Sequence, residues 1–302
     1  MDLGLITVIC GGNSFEQNVS RNTGKFIFDN IPSKFKKTLF DFDGNLSSLV
    51  AHIELAKPSA IINALHGGSG ENGQVQAVFE MCKIPYSHSG VFSSAAAMDK
   101  MRSKMIYEGA GIPTAKAKIV SSTAEIVADE LTNGAVLKPV SDGSSNNIFL
   151  LKTMADVEKL PSTFKIEMML EEYVVGREFT VGVRDNGAIA ITEVIIGEIY
   201  GYDDKYVDNK TRHIINPDLP PQIEKAIREI SVAAHNSLDC KGVSRTDIRW
   251  DEAKGIAGIF VLETNTQPGM RPQALIVEQF NEIGMSFEDM CEWIILDCSL
   301  DR

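Results

Sequence analysis

Two apolar runs near the start of the chain each end in a glycine-rich turn, and a helical pattern follows each turn. Residues 5–10 (LITVIC) lead into GGNS and a helix predicted at 16–28. Residues 59–65 (SAIINAL) lead into HGGSGENG and a helix predicted at 74–81. This repeated order of strand, turn and helix predicts a doubly wound parallel sheet. Ligands bind at the carboxyl ends of the strands in such sheets, where both glycine turns lie.

The rest of the chain mixes strands and helices less regularly. Residues 91–110 read as one helix that carries Lys100 and Lys104 on the same face, four residues apart. Apolar spacing predicts another helix from Ile223 to about Leu238. We therefore expect a multidomain protein that combines α/β and α+β architecture. Strands are predicted at 117–120, 135–138, 166–173, 179–183, 188–197, 242–250 and 256–263.

Composition excludes several classes of protein. The net charge of -12 argues against general nucleic-acid binding, which requires a basic surface. No apolar run approaches the ~18–20 residues of a membrane span, and MDLGLITVIC lacks the basic start of a signal peptide. The five cysteines are scattered and form no C-x-x-C pair, which favours free thiols over disulfides or zinc ligands. We expect a cytoplasmic protein that acts on small molecules and contacts neither nucleic acid nor membrane.

A polar strand end near the C-terminus predicts a metal site. In VSRTDIRW, the two-residue period of a strand places Arg245 and Asp247 on one face. A hairpin that turns near residue 254 or 255 would bring Asp247 close to Glu263, two residues before Asn265. Two acids and an amide oxygen are hard ligands that suit Mg²⁺. The alternative is that the acids are solvated or that one pairs with Arg245.

Four further polar segments could bind a nucleotide or a substrate, but each has a plain structural explanation. The loop after Lys138 (SDGSS) could donate hydrogen bonds to phosphates, although such loops are more often simple turns. His66 ends a strand beside close glycines, and a histidine there is often structural. Glu16 lies at the start of a helix, where an acid commonly caps the helix or compensates its dipole. The hairpin acids Glu171 and Glu178 could serve an adenosine or only face solvent.

Taken in order, eight segments resemble the ATP-grasp superfamily, and within it the D-alanine–D-alanine ligases. The resemblance covers nearly the whole chain. It implies an ATP-grasp fold with an N-terminal α/β domain at 1–95, a central α+β domain at 96–178 and a C-terminal α/β domain at 179–302. The segments are GGNSFEQNVS, HGGSGENGQVQ, GVFSSAAAMDKMRSK, VLKPVSDGSSNNI, EEYVVGREFTVGV, YGYDDKYVD, CKGVSRTDIRWD and LETNTQPGM.

The resemblance also implies residue roles on the nucleotide side. Two lysines would hold the ATP phosphates, a serine would close over them, and a lid lysine would cover the site. A hinge pair would meet the adenine, and a carboxylate would meet the ribose. In that order the residues are Lys100, Lys138, Ser144, Lys205, Glu171 with Val174, and Glu178.

On the amino-acid side, the resemblance implies that Glu16 holds the ammonium group of the first D-alanine with His66 beside it. The lid residue Tyr206 and Ser144 would close over the reacting groups, and Arg245 and the Gly269 N–H would stabilise the oxyanion. Two Mg²⁺ ions, which Mn²⁺ could replace, would bind Asp247, Glu263 and Asn265.

The implied reaction joins two D-alanines through an acyl phosphate, for peptidoglycan synthesis, in a cytoplasmic homodimer. The chain departs from the family where Arg271 and Ala274 replace a threonine and an acceptor-binding serine, and at Asn72 and the pair 146–147. We hypothesise that Arg271 or the Leu275 amide binds the acceptor instead. The alternatives are a sister ligase that uses D-serine, D-lactate or another amino acid, and a non-catalytic ATP-binding protein.

Overall fold

Three sheets organise the protein in the computed structural model, which describes residues 4–141, 147–195 and 212–302. The first sheet contains β1 (Leu5–Gly11), β2 (Lys36–Phe42) and β3 (Ala60–Asn63), all parallel, in the order β2-β1-β3. The parallel N-terminal sheet predicted from the sequence is confirmed. The structure adds β2, whose sequence KKTLFDF is only partly buried and carries little apolar signal.

Helices cover this sheet and follow its glycine turns. They are α1 (Gln17–Asn30), α2 (Leu46–Ala56) and α3 (Gln74–Met81), and the first and third match the predicted helices. Gly24 lets α1 lie directly on β1, because a Cβ atom there would stand 2.4 Å from the Cβ of Cys10. The carboxyl ends of β1 and β3 therefore open onto the turns that hold Glu16 and His66.

The prediction of one helix over residues 91–110 is wrong, because the chain forms two. Helix α4 spans Val91–Met98, helix α5 spans Lys100–Gly109, and Asp99 between them is extended (φ -87°, ψ 99°). The Asp99 carboxylate accepts a hydrogen bond from the Arg102 N–H and so caps α5. As a result, Lys100 lies in the first turn of α5 and Lys104 one turn later.

The second sheet is antiparallel and contains the strands predicted around 117, 135 and 166. Its strands are β4 (Ala117–Ser122), β5 (Ala135–Pro139), β6 (Phe149–Leu151) and β7 (Thr163–Glu172), in the order β4-β7-β5-β6. A short helix, α6 (Met154–Val157), follows β6. The inward faces form a separate apolar core that includes Val120, Leu137 and Leu170.

The third sheet is also antiparallel, with the order β10-β9-β8-β11-β12. Its strands are β8 (Arg177–Arg184), β9 (Gly187–Ile195), β10 (Arg212–Ile215), β11 (Val243–Trp250) and β12 (Ile259–Asn265). Helix α7 (Pro221–Ser237) packs on it through the predicted stripe, in which Ile223, Ile227 and Ala234 are buried. The connection between β11 and β12 is longer than predicted, because a 3₁₀ segment occupies Glu252–Gly258.

The last helices return to the first sheet. Helices α8 (Leu275–Glu282) and α9 (Phe287–Asp297) share one apolar cluster with β1 and β3, in which Ile276 and Met290 pack with Ile6 and Ile62. The segment that follows β12 therefore lies beside the carboxyl ends of the N-terminal strands. In the parts of the chain that the structure describes, no helix is long and apolar enough to cross a membrane. The three domain boundaries stay predictions.

Candidate active site

The β11–β12 hairpin brings the predicted metal ligands together. Its register places Asp247 opposite Glu263 and Arg245 opposite Asn265, with a β-bulge directly after Asp247. Directly opposed residues on one face of an antiparallel pair have Cβ atoms ~4.5–5.5 Å apart. The predicted neighbourhood of Asp247 and Glu263 is therefore confirmed, and both side chains share one face of the sheet with Asn265.

Each acid of this hairpin already contacts a basic group. Arg245 donates to Asp247 through Nε (3.0 Å) and Nη2 (2.9 Å), and Thr180 Oγ1 donates to Asp247 Oδ1 over 2.6 Å. Lys100 Nζ lies 3.4 Å from Glu263 Oε2. The ion pair with Arg245, which the sequence left open as an alternative, is thus present. In the described segments no three His, Cys, Asp or Glu side chains cluster as metal ligands. The candidate ligands in the hairpin are therefore only two acids, and the third is the Asn265 amide.

A buried carboxylate bridges two lysines beside this hairpin. Lys138 Nζ donates to Glu171 Oε2 over 2.7 Å, and Lys104 Nζ forms an ion pair of 2.6 Å with Glu171 Oε1. Lys104 also donates to Thr114 Oγ1 and to the Ala115 carbonyl, each over 2.8 Å. Lys104 was missed as a site residue, although its spacing from Lys100 on one helix face was the available signal.

The two lysines and Glu171 shift one another's pKa. Burial alone would raise the pKa of Glu171, but the charges of Lys138 and Lys104 outweigh it and lower that pKa. Burial lowers the pKa of Lys104, against the opposing charge of Glu171. Burial also acts against the charge of Lys138, yet Glu171 and Glu263 together raise its pKa. Glu171 therefore lies between two basic side chains, each of which contacts one of its oxygens.

Two of the predicted adenosine contacts, Val174 and Glu178, meet around an arginine that the sequence analysis missed. Arg249 donates to Glu178 Oε2 through Nε over 3.0 Å, and its Nη1 lies 3.3 Å from both the Val174 carbonyl and the Tyr173 hydroxyl. Arg249 is buried, and it follows Arg245 and Asp247 at the two-residue period of β11. The sequence could have indicated this role, because the two-residue period of a strand places Arg245, Asp247 and Arg249 on one face.

The N-terminal turns bring Glu16 and His66 together. Glu16 is buried at the start of α1 and makes no side-chain hydrogen bond that caps the helix, so the capping explanation is not supported. Gly67 leaves room for it, because a Cβ atom at that position would stand 2.7 Å from Glu16 Oε2. His66 lies between Glu71 Oε1 and Thr23 Oγ1, each 3.1 Å from one ring nitrogen.

The loop after β12 joins the β11–β12 hairpin to these turns. Gln267 donates to the Leu65 carbonyl and accepts from Asn63 Nδ2 over 2.7 Å, which fixes the loop to β3. A Cβ atom at Gly269 would stand 3.8 Å from His66 Cε1, so this backbone faces the N-terminal site. Gln267 was missed, and its contacts join residues about two hundred positions apart in the chain.

The departures from the family lie at the start of α8. Ala274 occupies the N-cap position and supplies no side-chain cap, and Leu275 is the first helical residue. The first N–H groups of a helix lack intrahelical acceptors. Arg271 is partly exposed, and its carbonyl accepts from the Ala274 N–H over 2.9 Å. The roles predicted for Arg271 and Leu275 stay predictions, and Ser144, Lys205 and Tyr206 lie outside the described residues.

Comparisons with known proteins point to one family. Residues 107–296 match the family model described as D-ala D-ala ligase C-terminus. The chain is 38% identical to a D-alanine–D-alanine ligase of Cereibacter sphaeroides over 98% of this chain and 96% of that protein. It is 39% identical to one of Ruegeria pomeroyi over 98% and 97%.

A solved structure extends the match to the fold. The crystal structure of D-alanine–D-alanine ligase from Bacillus anthracis complexed with ATP superposes with a TM-score of 0.80 at 26% identity, covering 97% of both chains. The ATP-grasp architecture expected from the sequence is thereby confirmed. The chain belongs to the D-alanine–D-alanine ligase family.

Proposed function

We propose that this protein joins two D-alanine molecules into D-alanyl-D-alanine and cleaves ATP to ADP and phosphate. One observation carries the proposal. Two cationic side chains, Lys100 and Lys138, and the acids of the β11–β12 hairpin converge beside a loop that reaches the Glu16 and His66 turns. A phosphoryl donor and an amino acid could therefore meet at one place. The dipeptide would serve peptidoglycan synthesis.

In this proposal the nucleotide lies between the second and third sheets. Lys100 and Lys138 neutralise its phosphates, while Val174, Glu178 and Arg249 define the nucleoside end. The hairpin donors fit Mg²⁺, because two carboxylates and an amide oxygen are hard ligands that leave positions for phosphates and water. Asp247, Glu263 and Asn265 would hold two such ions, or Mn²⁺. The bound metal would neutralise charge on the transferred phosphoryl group.

The side chains of this chain would then order the two chemical steps. Glu16 holds the ammonium of the first D-alanine. The carboxylate oxygen of that D-alanine then attacks the γ-phosphorus of ATP, and ADP leaves. The amine of the second D-alanine attacks the carbonyl carbon of the acyl phosphate and releases phosphate and a proton. Arg245 and the Gly269 N–H stabilise the oxyanion between these events.

Phosphate release from ATP, measured with D- and L-amino acids singly and in pairs, tests the proposal. We expect release with D-alanine alone. Release only with a mixed pair would favour a sister ligase that joins D-alanine to D-serine, D-lactate or another acceptor. ATP binding without release from any pair would favour a non-catalytic ATP-binding protein. We further propose a homodimer in the cytoplasm, which sedimentation at micromolar concentration and cell fractionation would test.

The acceptor site has its own test. If the Arg271 guanidinium binds the acceptor carboxylate, Arg271→Ala should raise the KM for the second D-alanine about tenfold, as expected for a lost charged contact. Because the chemical step is elsewhere, kcat should change much less. An unchanged KM would leave the Leu275 amide as the group that donates to the carboxylate of the second D-alanine. Arg271→Lys keeps the positive charge but not the planar guanidinium, so it shows which of the two matters.

A further inference from the structure

Lys104 is a buried cation that the proposed reaction does not use. Its side chain is 4% exposed and lies one helical turn after Lys100 on α5. Thr114 Oγ1, the Ala115 carbonyl and Glu171 Oε1 surround its ammonium group at 2.6–2.8 Å. Thr114 Oγ1 and the Ala115 carbonyl accept its hydrogen bonds, and Glu171 Oε1 pairs with its charge, so these three oxygens enclose the ammonium group.

The anchors of Lys104 connect it to the metal hairpin. Thr114 Oγ1 donates to the Val261 carbonyl over 2.8 Å, and the Val261 N–H donates to the Pro113 carbonyl over 2.9 Å. Val261 lies on β12, two residues before Glu263. Lys104 is thereby fixed to the strand that carries a proposed metal ligand.

On its other side, Lys104 determines the surroundings of Lys138. Glu171 is 3% exposed and lies between the two ammonium groups, with one oxygen for each. Within the described segments, Lys138 Nζ donates to Glu171 alone, so that ammonium keeps donors for a ligand. Without Lys104, the full charge of Glu171 would be balanced by Lys138 alone and would hold that lysine away from an anion.

We propose that Lys104 is a positioning residue for ATP: it holds Glu171 against the β12 anchor and thereby fixes Lys138 where that lysine meets the phosphates. Lys104 itself does not touch the nucleotide. The inference rests on the proposed function only in taking Lys138 as a phosphate ligand. It assigns Glu171 the role of a bridge between lysines, in addition to the adenine-side role expected from the family.

Binding of two ligands tests the inference without any turnover. Calorimetry would compare a non-hydrolysable ATP analogue, adenylyl-imidodiphosphate with Mg²⁺, against adenosine, which lacks phosphates. For Lys104→Met we expect at least about tenfold weaker binding of the analogue, in keeping with the loss of one member of a buried charge group. Adenosine affinity should stay within about twofold. Lys25→Met is the control, because Lys25 is exposed and pairs only with Asp29 in the described structure.

A double variant separates positioning from direct contact. If Lys104 acts only through Glu171, then Glu171→Gln and the double variant Lys104→Met/Glu171→Gln should bind the analogue within about threefold of each other, as coupled residues do in a double-mutant cycle. This pair also decides the matter if Lys104→Met alone fails to fold, since the double variant removes both partners of the buried contact.

Three results would overturn the inference. These are unchanged analogue binding in Lys104→Met, equal weakening of analogue and adenosine, and a double variant that binds the analogue ten times more weakly than Glu171→Gln. Failure of the proposed function is distinguishable, because it would leave analogue binding intact in the unmodified protein while D-alanine releases no phosphate. An unmodified protein that binds no analogue would end both proposals.

Discussion

The protein places acids beside bases in two neighbouring regions, and the two differ in their access to solvent. In the β11–β12 hairpin, the Glu263 side chain is 33% exposed and that of Asp247 is 17% exposed. In the cluster of Lys104, Glu171 and Lys138, the carboxylate is 3% exposed. The contacts also differ in length, at 3.4 Å for Lys100 to Glu263 against 2.6 and 2.7 Å for the lysines around Glu171.

This difference in burial distinguishes ion pairs that can exchange partners, in the β11–β12 hairpin, from ion pairs that are fixed, around Glu171. A buried charge that loses its partner bears a large desolvation cost, whereas a partly exposed one can be solvated by water or a ligand. In the proposed reaction the hairpin acids would therefore release their bases and accept a cation when a nucleotide enters. Glu171 would not do so, and its lysines would stay in place as a preformed support for the phosphates.

The largest expected effect comes from Glu263→Gln, which tests whether the β11–β12 hairpin takes part in catalysis. Loss of a metal ligand removes several kcal/mol of charge stabilisation, so kcat should fall by about 10³-fold or more. The fold should persist, because this carboxylate is partly exposed. Phosphate release and circular dichroism measure the two quantities. Normal turnover would remove Glu263 from the proposed metal site.

The same chemical change in the buried region should affect stability instead. Glu171→Gln leaves two ammonium groups without their carboxylate, and we expect the free energy of unfolding in urea to fall by about 3 kcal/mol or more. For Glu263→Gln the fall should stay below about 1 kcal/mol. Equal losses in the two variants would contradict the division into fixed and exchangeable pairs.

The acid dependence of stability sharpens this contrast. Because the pKa of Glu171 is lowered in the folded protein, the unfolded chain binds more protons as the pH falls below the ordinary value of 4.5. The contribution of Glu171 is therefore present above pH 4.5 and is lost as the pH falls towards its folded pKa. The stability difference between the unmodified protein and Glu171→Gln should shrink over that interval, by at most about 1.4 kcal/mol per pH unit. Urea denaturation at pH 6, 4.5 and 3.5 measures it, and a constant difference would contradict the linkage.

The hairpin site could be predicted because its information is local. Alternation along VSRTDIRW fixes which side chains share a face, and the antiparallel return places Glu263 opposite Asp247 even though the connection is longer than predicted. The strand ends that carry Glu16 and His66 follow equally from glycine turns after apolar runs. Patterns of this kind can be predicted because they depend on strand periodicity and on turns, which are local features of the sequence.

Residues that join distant segments could not be predicted in the same way. Gln267 bonds to Leu65, and Arg249 gathers Glu178 and Val174, so their roles depend on how the sheets pack. The break at Asp99 between α4 and α5 involves neither proline nor glycine, and the Lys100 N–H beside it donates to the carbonyl of the distant Val140. The spacing of Lys104 from Lys100 was visible in the sequence, but its contacts with Thr114, Ala115 and Glu171 depend on how α5 packs against distant segments.

The smallest expected effect concerns Thr180, which donates to Asp247 Oδ1 over 2.6 Å from the neighbouring strand β8. Thr180→Val preserves shape and removes this donor, so Asp247 should lose orientation while keeping its charge. Groups that orient a metal ligand typically contribute tenfold or more in metal affinity, and we expect the half-maximal Mg²⁺ concentration to rise by about tenfold. The kcat at saturating Mg²⁺ should change by less than about threefold.

A neighbouring threonine supplies the matched control for this variant. Thr192 lies opposite Thr180 in the sheet, is equally buried, and accepts from Gln279 Nε2 over 3.0 Å without contacting Asp247 in the described structure. Thr192→Val should leave the Mg²⁺ dependence unchanged even if it lowers stability. Thermal stabilisation by the ATP analogue at rising Mg²⁺ gives a readout independent of turnover. If both variants shift the Mg²⁺ dependence equally, the effect comes from packing of β8 and β9. The Thr180 hydroxyl would then have no specific role in orienting Asp247.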